Sequence, residues 1–247
     1  MKTHKQTKNV GVPETLNSGF LLIDKPSGIT SHDVIDKLRR VTGIRKIGHA
    51  GTLDPFATGL LLIAVGREST RRLGEFVGLD KSYIAKLKFG YVSDTHDIDG
   101  VIRKTKFNGS KNHQNTITKN RIENSLNEFR GKIKQTPPMY SAKKIKGKKL
   151  YELARKGIVV ERDKVDVTVH GIKLLSFDAS EQECEIFFSV SSGTYIRSLG
   201  HEIGEVLEVG AYLKELKRIS IGLYKLEDAV DLDIINSENW QKYLLKP

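Results

Sequence analysis

The segment GHAGTLDPFATG, residues 48–59, dominates this sequence because it places an acidic residue, Asp54, in a glycine-rich setting. Its glycines allow the backbone to approach a ligand closely. His49 adds an aromatic face, and the apolar run at 60–65 predicts a buried strand that would support the segment. Asp54-Pro55 on its own is typical of a simple turn. The residues alone therefore indicate a possible anion or nucleotide site without specifying a reaction.

The chain before and after this segment alternates between strand and helix patterns. Residues 19–24 predict a buried strand, and Ser31 is expected to cap a helix that ends at Gly43. A short helix is predicted at 69–76, followed by a half-buried strand at 82–91 that alternates apolar and polar residues.

The second half of the chain mixes the same two patterns. The predicted segments are a loop at 93–115, a helix opened by Thr118, a basic loop at 136–149, a helix at 150–156, strands at 158–175 and 183–190, a strand end leading into a helix at 193–207, and a last regular segment at 220–226. Because strands and helices do not alternate strictly, we expect an α+β fold with a mixed, mainly antiparallel sheet flanked by helices.

Charge and composition limit the class of protein. The 247 residues carry a net charge of +11, with a pI near 9.5, which favours partners with phosphate backbones or anionic surfaces. The single cysteine, Cys184, excludes a disulfide framework. No apolar run is long enough to span a membrane, so we expect a soluble, cytoplasmic protein. Residues 1–18 predict a flexible basic tail.

Common cofactor motifs are incomplete in this sequence. The glycine spacing at 43–48 suggests a P-loop, but His49-Ala50 replaces the required lysine and hydroxyl residue. His201-Glu202 lacks the second histidine of a zinc-protease helix. The acidic stretch at 94–99 lacks the ligand pattern of a calcium loop, so we interpret it as a solvated turn. We therefore expect neither a metal nor a nucleotide cofactor.

Five ordered motifs resemble those of a known family. GFLLIDKPSGITSHD at 19–33 and KIGHAGTLDPFATGL at 46–60 closely resemble the two N-terminal motifs of the TruB family, the bacterial tRNA pseudouridine-55 synthases. Shorter similarities follow in the family's order. They are KSY at 81–83, YSAKK at 140–144 with GKKLY at 147–151, and GTYIR at 193–197 with LKR at 216–218.

The resemblance implies a fold, a reaction and a set of site residues. It implies a pseudouridine synthase fold with the catalytic loop over a central cleft, and an isomerase that converts the T-arm uridine of tRNA, position 55, after flipping the base. Asp54 would be the catalytic carboxylate and Arg197 its partner, while His49 would fill the space left by the flipped base. Tyr83 would stack on that base. Tyr195 and Leu216 would line the uridine pocket, although pattern alone would place Tyr83, Tyr195 and Leu216 in the core.

RNA contacts and domain limits follow from the same resemblance. We expect the RNA backbone to bind a set of lysines in the basic loop, namely Lys143, Lys144, Lys146, Lys148 and Lys149. The catalytic domain is expected at 19–230, with a C-terminal extension at 231–247 in place of the family's usual PUA domain. The partner would be the tRNA T-arm stem-loop, bound by a monomer. The alternatives are a non-catalytic RNA-binding or tRNA-folding protein, and a pseudouridine synthase acting on rRNA.

Overall fold

A single large sheet organises the chain. The computed structural model describes residues 18–106, 117–141, 143–145, 147–154 and 156–246, so the predicted tail at 1–18 lies outside the described residues except for Ser18. In chain order the elements are β1 (Gly19–Lys25), α1 (Ser31–Thr42), β2 (Ile47–His49), β3 (Thr58–Val65), α2 (Arg67–Arg71), α3 (Leu73–Val77), β4 (Lys81–Phe89), β5 (Tyr91–Ser93), β6 (Ile102–Lys104), α4 (Lys119–Leu126), β7 (Gly131–Gln135), β8 (Lys144–Ile145), β9 (Lys148–Lys149), α5 (Leu150–Ala154), β10 (Val165–Asp178), β11 (Glu183–Val190), α6 (Ile196–Val206), β12 (Ala211–Ile221), β13 (Tyr224–Lys225) and β14 (Val230–Asp231).

The ten strands of the main sheet follow the order β14-β1-β3-β12-β4-β11-β10-β7, with β2 paired to β3 and β13 to β12. Only the pairs β1–β14 and β3–β12 are parallel. This confirms the predicted mixed, mainly antiparallel sheet. Strand β12 joins the two halves of the sheet, because it pairs with β3 on one side and with β4 on the other.

Alternating side chains of β1 and β3 fill cores on both faces of the sheet. Leu21 and Leu61 pack with α1, whereas Leu22 and Leu62 pack in a cluster that includes Phe76 of α3. A third and larger core lies between β4, β11, β12 and helices α4 and α6. The continuous apolar run of β3 is explained by this burial on two faces.

Helix α1 begins one residue earlier than predicted. Thr30, not Ser31, is the N-cap: its hydroxyl accepts from Asp33 N at 3.1 Å, and Asp33 Oδ2 accepts from Thr30 N at 2.8 Å. The Ser31 hydroxyl instead accepts from Leu53 N at 2.9 Å. Leu53 belongs to the segment at residues 48–59, which we call the acidic loop. The helix ends at Gly43 as predicted, with a left-handed φ of 70°.

Several other boundaries differ from the prediction. The helix expected at 69–76 is two short helices, α2 and α3, which meet at Arg72. The strand expected at 82–91 ends at Phe89, since Gly90 has a φ of 82° and starts a turn. The strand expected from 158 begins only at Val165, and β6 occupies part of a predicted loop. Thr118 does cap α4, as predicted. Strand β12 had no counterpart in the prediction.

The C-terminal segment packs on the sheet. Leu245 and Phe20 exchange two backbone hydrogen bonds, at 2.8 and 2.9 Å, and Trp240 is buried with the α1 core. These contacts tie the described residues after β14 to β1. No helix among the described residues is long and apolar enough to cross a lipid bilayer.

Gly59 is where the acidic loop enters β3, and it allows a close strand contact. Its φ is 98°, and a Cβ there would lie 2.3 Å from the carbonyl oxygen of Arg218. We therefore expect Gly59→Ala to destabilise the fold by about 3 kcal/mol or more, combining backbone strain with overpacking. Urea unfolding measures this change.

Alanine substitutions at two other glycines, used as controls, separate backbone strain from overpacking. Gly28 also has a positive φ, of 86°, but has open space around it, so Gly28→Ala should cost only about 1–2 kcal/mol. Gly74 in α3 has open space and a helical conformation, so Gly74→Ala should stabilise by about 0.5–1 kcal/mol. Equal effects of Gly59→Ala and Gly28→Ala would contradict a close contact with β12.

Candidate active site

The acidic loop is held on one side by the turn between β1 and α1. Lys25 is fully buried, and its Nζ donates to the carbonyls of Pro26 and Ile29 at 2.8 Å and of Pro55 at 3.2 Å. Gly28 N also donates to Pro55 O, at 2.9 Å. Burial lowers the pKa of Lys25 to about 8, although Asp54 acts in the opposite direction. Lys25 therefore has a structural role, since it ties the loop carbonyl of Pro55 to the turn after β1.

Strand β12 holds the other side of the loop through Arg218. Its side chain is buried, its Nε donates to Leu60 O at 2.7 Å, and its Nη2 donates to Gly51 O at 3.1 Å. These two carbonyls lie before and after Asp54 in the chain. The loop backbone is consequently fixed at both ends by one guanidinium, and Asp54 projects from a rigid support.

Arg197 faces Asp54 from the first turn of α6. Its Nε lies 2.9 Å from Asp54 Oδ2, and its Nη2 donates to Asp54 Oδ1 at 3.3 Å. The side chain of Arg197 is 5% exposed, whereas that of Asp54 is 34% exposed. The carboxylate can thus be reached from solvent while the guanidinium beneath it is enclosed. The two oxygens are held in a defined orientation by this two-point contact.

A second carboxylate shares the same guanidinium. Asp97 Oδ2 lies 3.1 Å from Arg197 Nη1, and this side chain is only 5% exposed. The carbonyls of Thr95 and Tyr140 accept from Arg197 at 3.1 and 2.6 Å. The interpretation of the acidic stretch as a solvated turn is therefore wrong for Asp97, which is buried because Arg197 compensates its charge.

Burial and charge act in opposite directions on the two acids. Desolvation raises the pKa of Asp54 above its usual value, while the Arg197 charge and hydrogen bond lower it. Desolvation also raises the pKa of Asp97, against a hydrogen bond from Thr95 and the charge of Arg197. One guanidinium for two acids leaves each carboxylate only partly compensated.

Two of the residues predicted for the uridine pocket belong to the core cluster that reaches the acidic loop. Tyr83 on β4 and Leu216 on β12 belong to the same core cluster as Leu53 and Phe56, which flank the Asp54-Pro55 turn. Tyr195 is half-buried and immediately precedes α6. The structure thus brings the two sheet residues and the acidic loop into one apolar environment.

Tyr195 is fixed by its backbone. The side-chain amide of the buried Gln135 accepts from Tyr195 N at 2.8 Å and donates to Tyr195 O at 3.0 Å. These two hydrogen bonds fix the position of Tyr195, two residues before Arg197. Gln135, Asp97 and Arg218 received no role from the sequence, because each acts on a partner far away in the chain. The acidic pattern around Asp97 was the one visible signal.

Among the described residues, no hydrogen bond or ion pair joins His49 or Lys143 to Asp54 or Arg197. His49 is half-buried on β2, and burial together with the Arg218 charge lowers its pKa, which favours a neutral ring. Lys143 is half-buried. Lys146 and the side chains of the other three predicted lysines, Lys144, Lys148 and Lys149, lie outside the described residues. Within the described ranges, no group of three or more potential metal ligands comes together.

Comparisons with known proteins agree with this architecture. The family model "TruB family pseudouridylate synthase (N terminal domain)" matches residues 39–196. The chain is 45% identical to tRNA pseudouridine synthase B of Aquifex aeolicus, over 92% of this chain and 77% of that protein. It is 41% identical to the protein of the same name from Desulfotalea psychrophila, over 94% of both chains.

Solved structures show the same fold. A chain in a Cbf5-Nop10-Gar1 complex superposes with a TM-score of 0.67 at 27% identity, over 93% of this chain and 59% of that one. An archaeal box H/ACA sRNP Nop10-Cbf5 complex gives a TM-score of 0.66 at 24% identity, over 96% of this chain and 62% of that one, which supports the fold alone. This chain thus spans less than two thirds of the length of these two structural relatives. Because the family model and the sequence relatives cover most of the chain, this protein belongs to the TruB family of pseudouridylate synthases and is an isomerase.

Proposed function

We propose that this isomerase converts the T-arm uridine of tRNA, position 55, into pseudouridine, and that Asp54 is its essential carboxylate. The tRNA substrate is supported by the relatives that align over most of the chain, which are named tRNA pseudouridine synthase B. The observation that carries the chemistry is the two-point contact between Arg197 and the reachable carboxylate of Asp54. A cytoplasmic monomer acting on the T-arm stem-loop is part of the same proposal.

The reaction requires an ionised carboxylate. Pseudouridine forms when the glycosidic carbon–nitrogen bond breaks, the uracil rotates, and the ribose C1′ joins carbon 5 of the base. Asp54 either attacks C1′ or removes a proton from C2′, and both routes need its unprotonated form. Arg197 favours that form and aims the oxygens. Loss of the C5 proton, with N1 taking up a proton in its place, completes the isomerisation, and Tyr83 is our candidate for receiving the C5 proton.

Access to the uridine requires base flipping. Taking a base out of an RNA stack costs a few kcal/mol. A neutral His49 ring placed in the vacated position would return about 1–3 kcal/mol of stacking. Tyr83 would stack on the extruded base, with Tyr195 and Leu216 enclosing it. The apolar cluster around Leu53 and Phe56 supports this pocket, since a planar uracil packs well against such side chains.

The excess positive charge would hold the RNA. The net charge of +11 and the lysines at 143–149 support contacts with phosphates, which fix position without reading sequence. Recognition of the folded T-arm loop would come from its shape and splayed bases. A protein that only binds RNA needs no carboxylate held against a buried guanidinium, so the Asp54–Arg197 contact favours catalysis over that alternative.

Replacing the carboxylate separates catalysis from binding. Asp54→Asn keeps the shape of the side chain but cannot act as nucleophile or base, so we expect single-turnover pseudouridine formation to fall at least about 1,000-fold. Affinity for a T-arm stem-loop should change only a few-fold. Asp36→Asn, which alters a partly exposed acid on α1, is the control and should remain active.

Three results would change this assignment. An active Asp54→Asn protein would remove Asp54 from the mechanism. Wild-type protein that binds the T-arm without converting it would support the non-catalytic alternative. Conversion of rRNA but not of tRNA would overturn the choice of substrate.

The pH dependence of the rate should reflect the raised pKa of Asp54. Because the active form is unprotonated, kcat/KM should fall as the pH drops, with a midpoint above 3.8, the ordinary value for an aspartate. Asp97→Asn leaves Arg197 to compensate Asp54 alone, so the midpoint should move to lower pH. Rate profiles of both proteins on a T-arm RNA measure this. A midpoint that rises in Asp97→Asn would contradict shared compensation.

The lysine contribution is tested by salt. Lys143→Ala should weaken RNA binding for all sequences alike, and the slope of log affinity against log salt should decrease by about one. Lys37→Ala, which removes a lysine paired with Asp233 near α1, is the matched control. An unchanged slope in Lys143→Ala would exclude a phosphate contact at this position.

A further inference from the structure

Two histidine rings stack against each other one turn along α6 from Arg197. The centroids of His96 and His201 lie 4.0 Å apart, with an angle of 12° between the ring planes. His201 follows Arg197 by one turn of α6, and His96 immediately precedes Asp97. Thr95, on the other side of His96, supplies a carbonyl to Arg197. The stack therefore joins α6 to the segment that carries the second carboxylate.

The backbone of His96 is held in an uncommon conformation. Its φ of 65° lies in the left-handed region, which histidine tolerates better than most residues but which still costs energy. Two hydrogen bonds fix it: His96 N donates to Ser93 O at 3.1 Å, and Leu213 N on β12 donates to His96 O at 3.0 Å. The ring is thereby aimed at α6.

The surroundings of the stack suit a neutral His96 ring. Among the residues that the structure describes, the buried Nδ1 atoms of His96 and His201 have no hydrogen-bond partner. The charged or titratable groups that face His96 are His201 and Arg197 from α6, Arg162 from the segment before β10, and Asp94 from its own turn. Burial is the largest cause that lowers the pKa of His96 to about 4, followed by His201 and then by the charges of Arg197 and Arg162. A proton added to His96 would lie close to the positive charges of Arg197 and Arg162, and the described residues offer no acceptor at Nδ1.

We propose that the stack of a neutral His96 ring on His201 positions the Asp97-bearing segment against α6, and that protonation of His96 releases Asp97 from Arg197 and lowers activity. His96 and His201 are then positioning residues, since they act through Asp97 and Arg197. The effect on activity rests on the proposed function, whereas the release of the segment does not.

The direction and size of the acid effect follow from linkage. The pKa of His96 is depressed in the folded protein, so its contribution to the closed segment is complete above pH 6.5 and is lost as the pH falls toward about 4. Between pH 8 and pH 5, opening of the segment should become about 30-fold more favourable. Asp97 titrates as well, so the histidine effect is the part that disappears when His96 is replaced.

The test is hydrogen exchange at the Leu213 amide, which bonds to His96 O, combined with rates of pseudouridine formation. In the wild-type protein, the opening constant at Leu213, corrected for intrinsic exchange, should rise about 30-fold from pH 8 to pH 5. In His96→Asn, where asparagine accepts the same φ, most of this rise should be lost and the rate should fall less in acid. The exposed His170 on β10 provides the control, and His170→Asn should respond like the wild type.

His201→Gln is the second variant if His96→Asn does not fold. It keeps the His96 backbone and removes the facing ring, so the acid response should also shrink. A response in these variants equal to that of the wild type overturns the proposal. If the rise of the opening constant at Leu213 becomes smaller in these variants but the acid dependence of the rate stays unchanged, the link to activity is overturned. Wild-type protein that forms no pseudouridine at pH 8 would refute the proposed function, while the exchange result would still decide whether the stack holds the segment.

Discussion

The enclosed guanidinium of Arg197 is the constraint around which the rest of the site is arranged. Arginine keeps its charge at any pH that a protein experiences, so its burial requires acceptors on every side. Two carboxylates and two carbonyls provide them, from the acidic loop, the turn after β5 and the segment after β7. Segments that are distant in sequence converge at the start of α6 because each contributes part of the compensation for one charge.

The support beneath Asp54 uses buried cations in a different way. Lys25 and Arg218 are both buried, and their side chains donate to backbone carbonyls. Within the described ranges neither has a carboxylate within salt-bridge distance. Carbonyl groups of turns would otherwise lie buried without partners. The same charges act on the site, since Lys25 lowers the pKa of Asp54.

Local patterns in the sequence predicted the parts of the fold whose burial is regular. The continuous apolar run of β3 and the face of α1 were of this kind. Strand β12 was not predicted, although it lies at the centre of the sheet. Register shifts between Leu213 and Glu215 and between Arg218 and Ser220 interrupt the alternation of its buried and exposed residues. A central strand with irregular alternation resembles neither pattern.

From the sequence, the site could be predicted only where its residues lie close together along the chain. Glycine content and one acid marked the loop at 48–59, but the reaction came from the family resemblance and not from spacing. Asp97 looked like a solvated acid because its partner, Arg197, lies a hundred residues further along the chain. A charged side chain can be buried when an opposite charge lies beside it. When that partner comes from a distant part of the chain, the local sequence does not reveal the pair.

The sharing of Arg197 between two carboxylates has a consequence for either proposed route. Attack on C1′ turns Asp54 into an ester, and removal of a C2′ proton turns it into an acid, so both routes neutralise it. With Asp54 as the only partner, that step would leave Arg197 as an uncompensated charge in an enclosed site, at a cost of several kcal/mol. Asp97, 3.1 Å from the same guanidinium, remains charged and keeps Arg197 paired while the negative charge of Asp54 passes to the substrate. If Asp54 acts by either proposed route, the second carboxylate contributes most when the first has lost its charge.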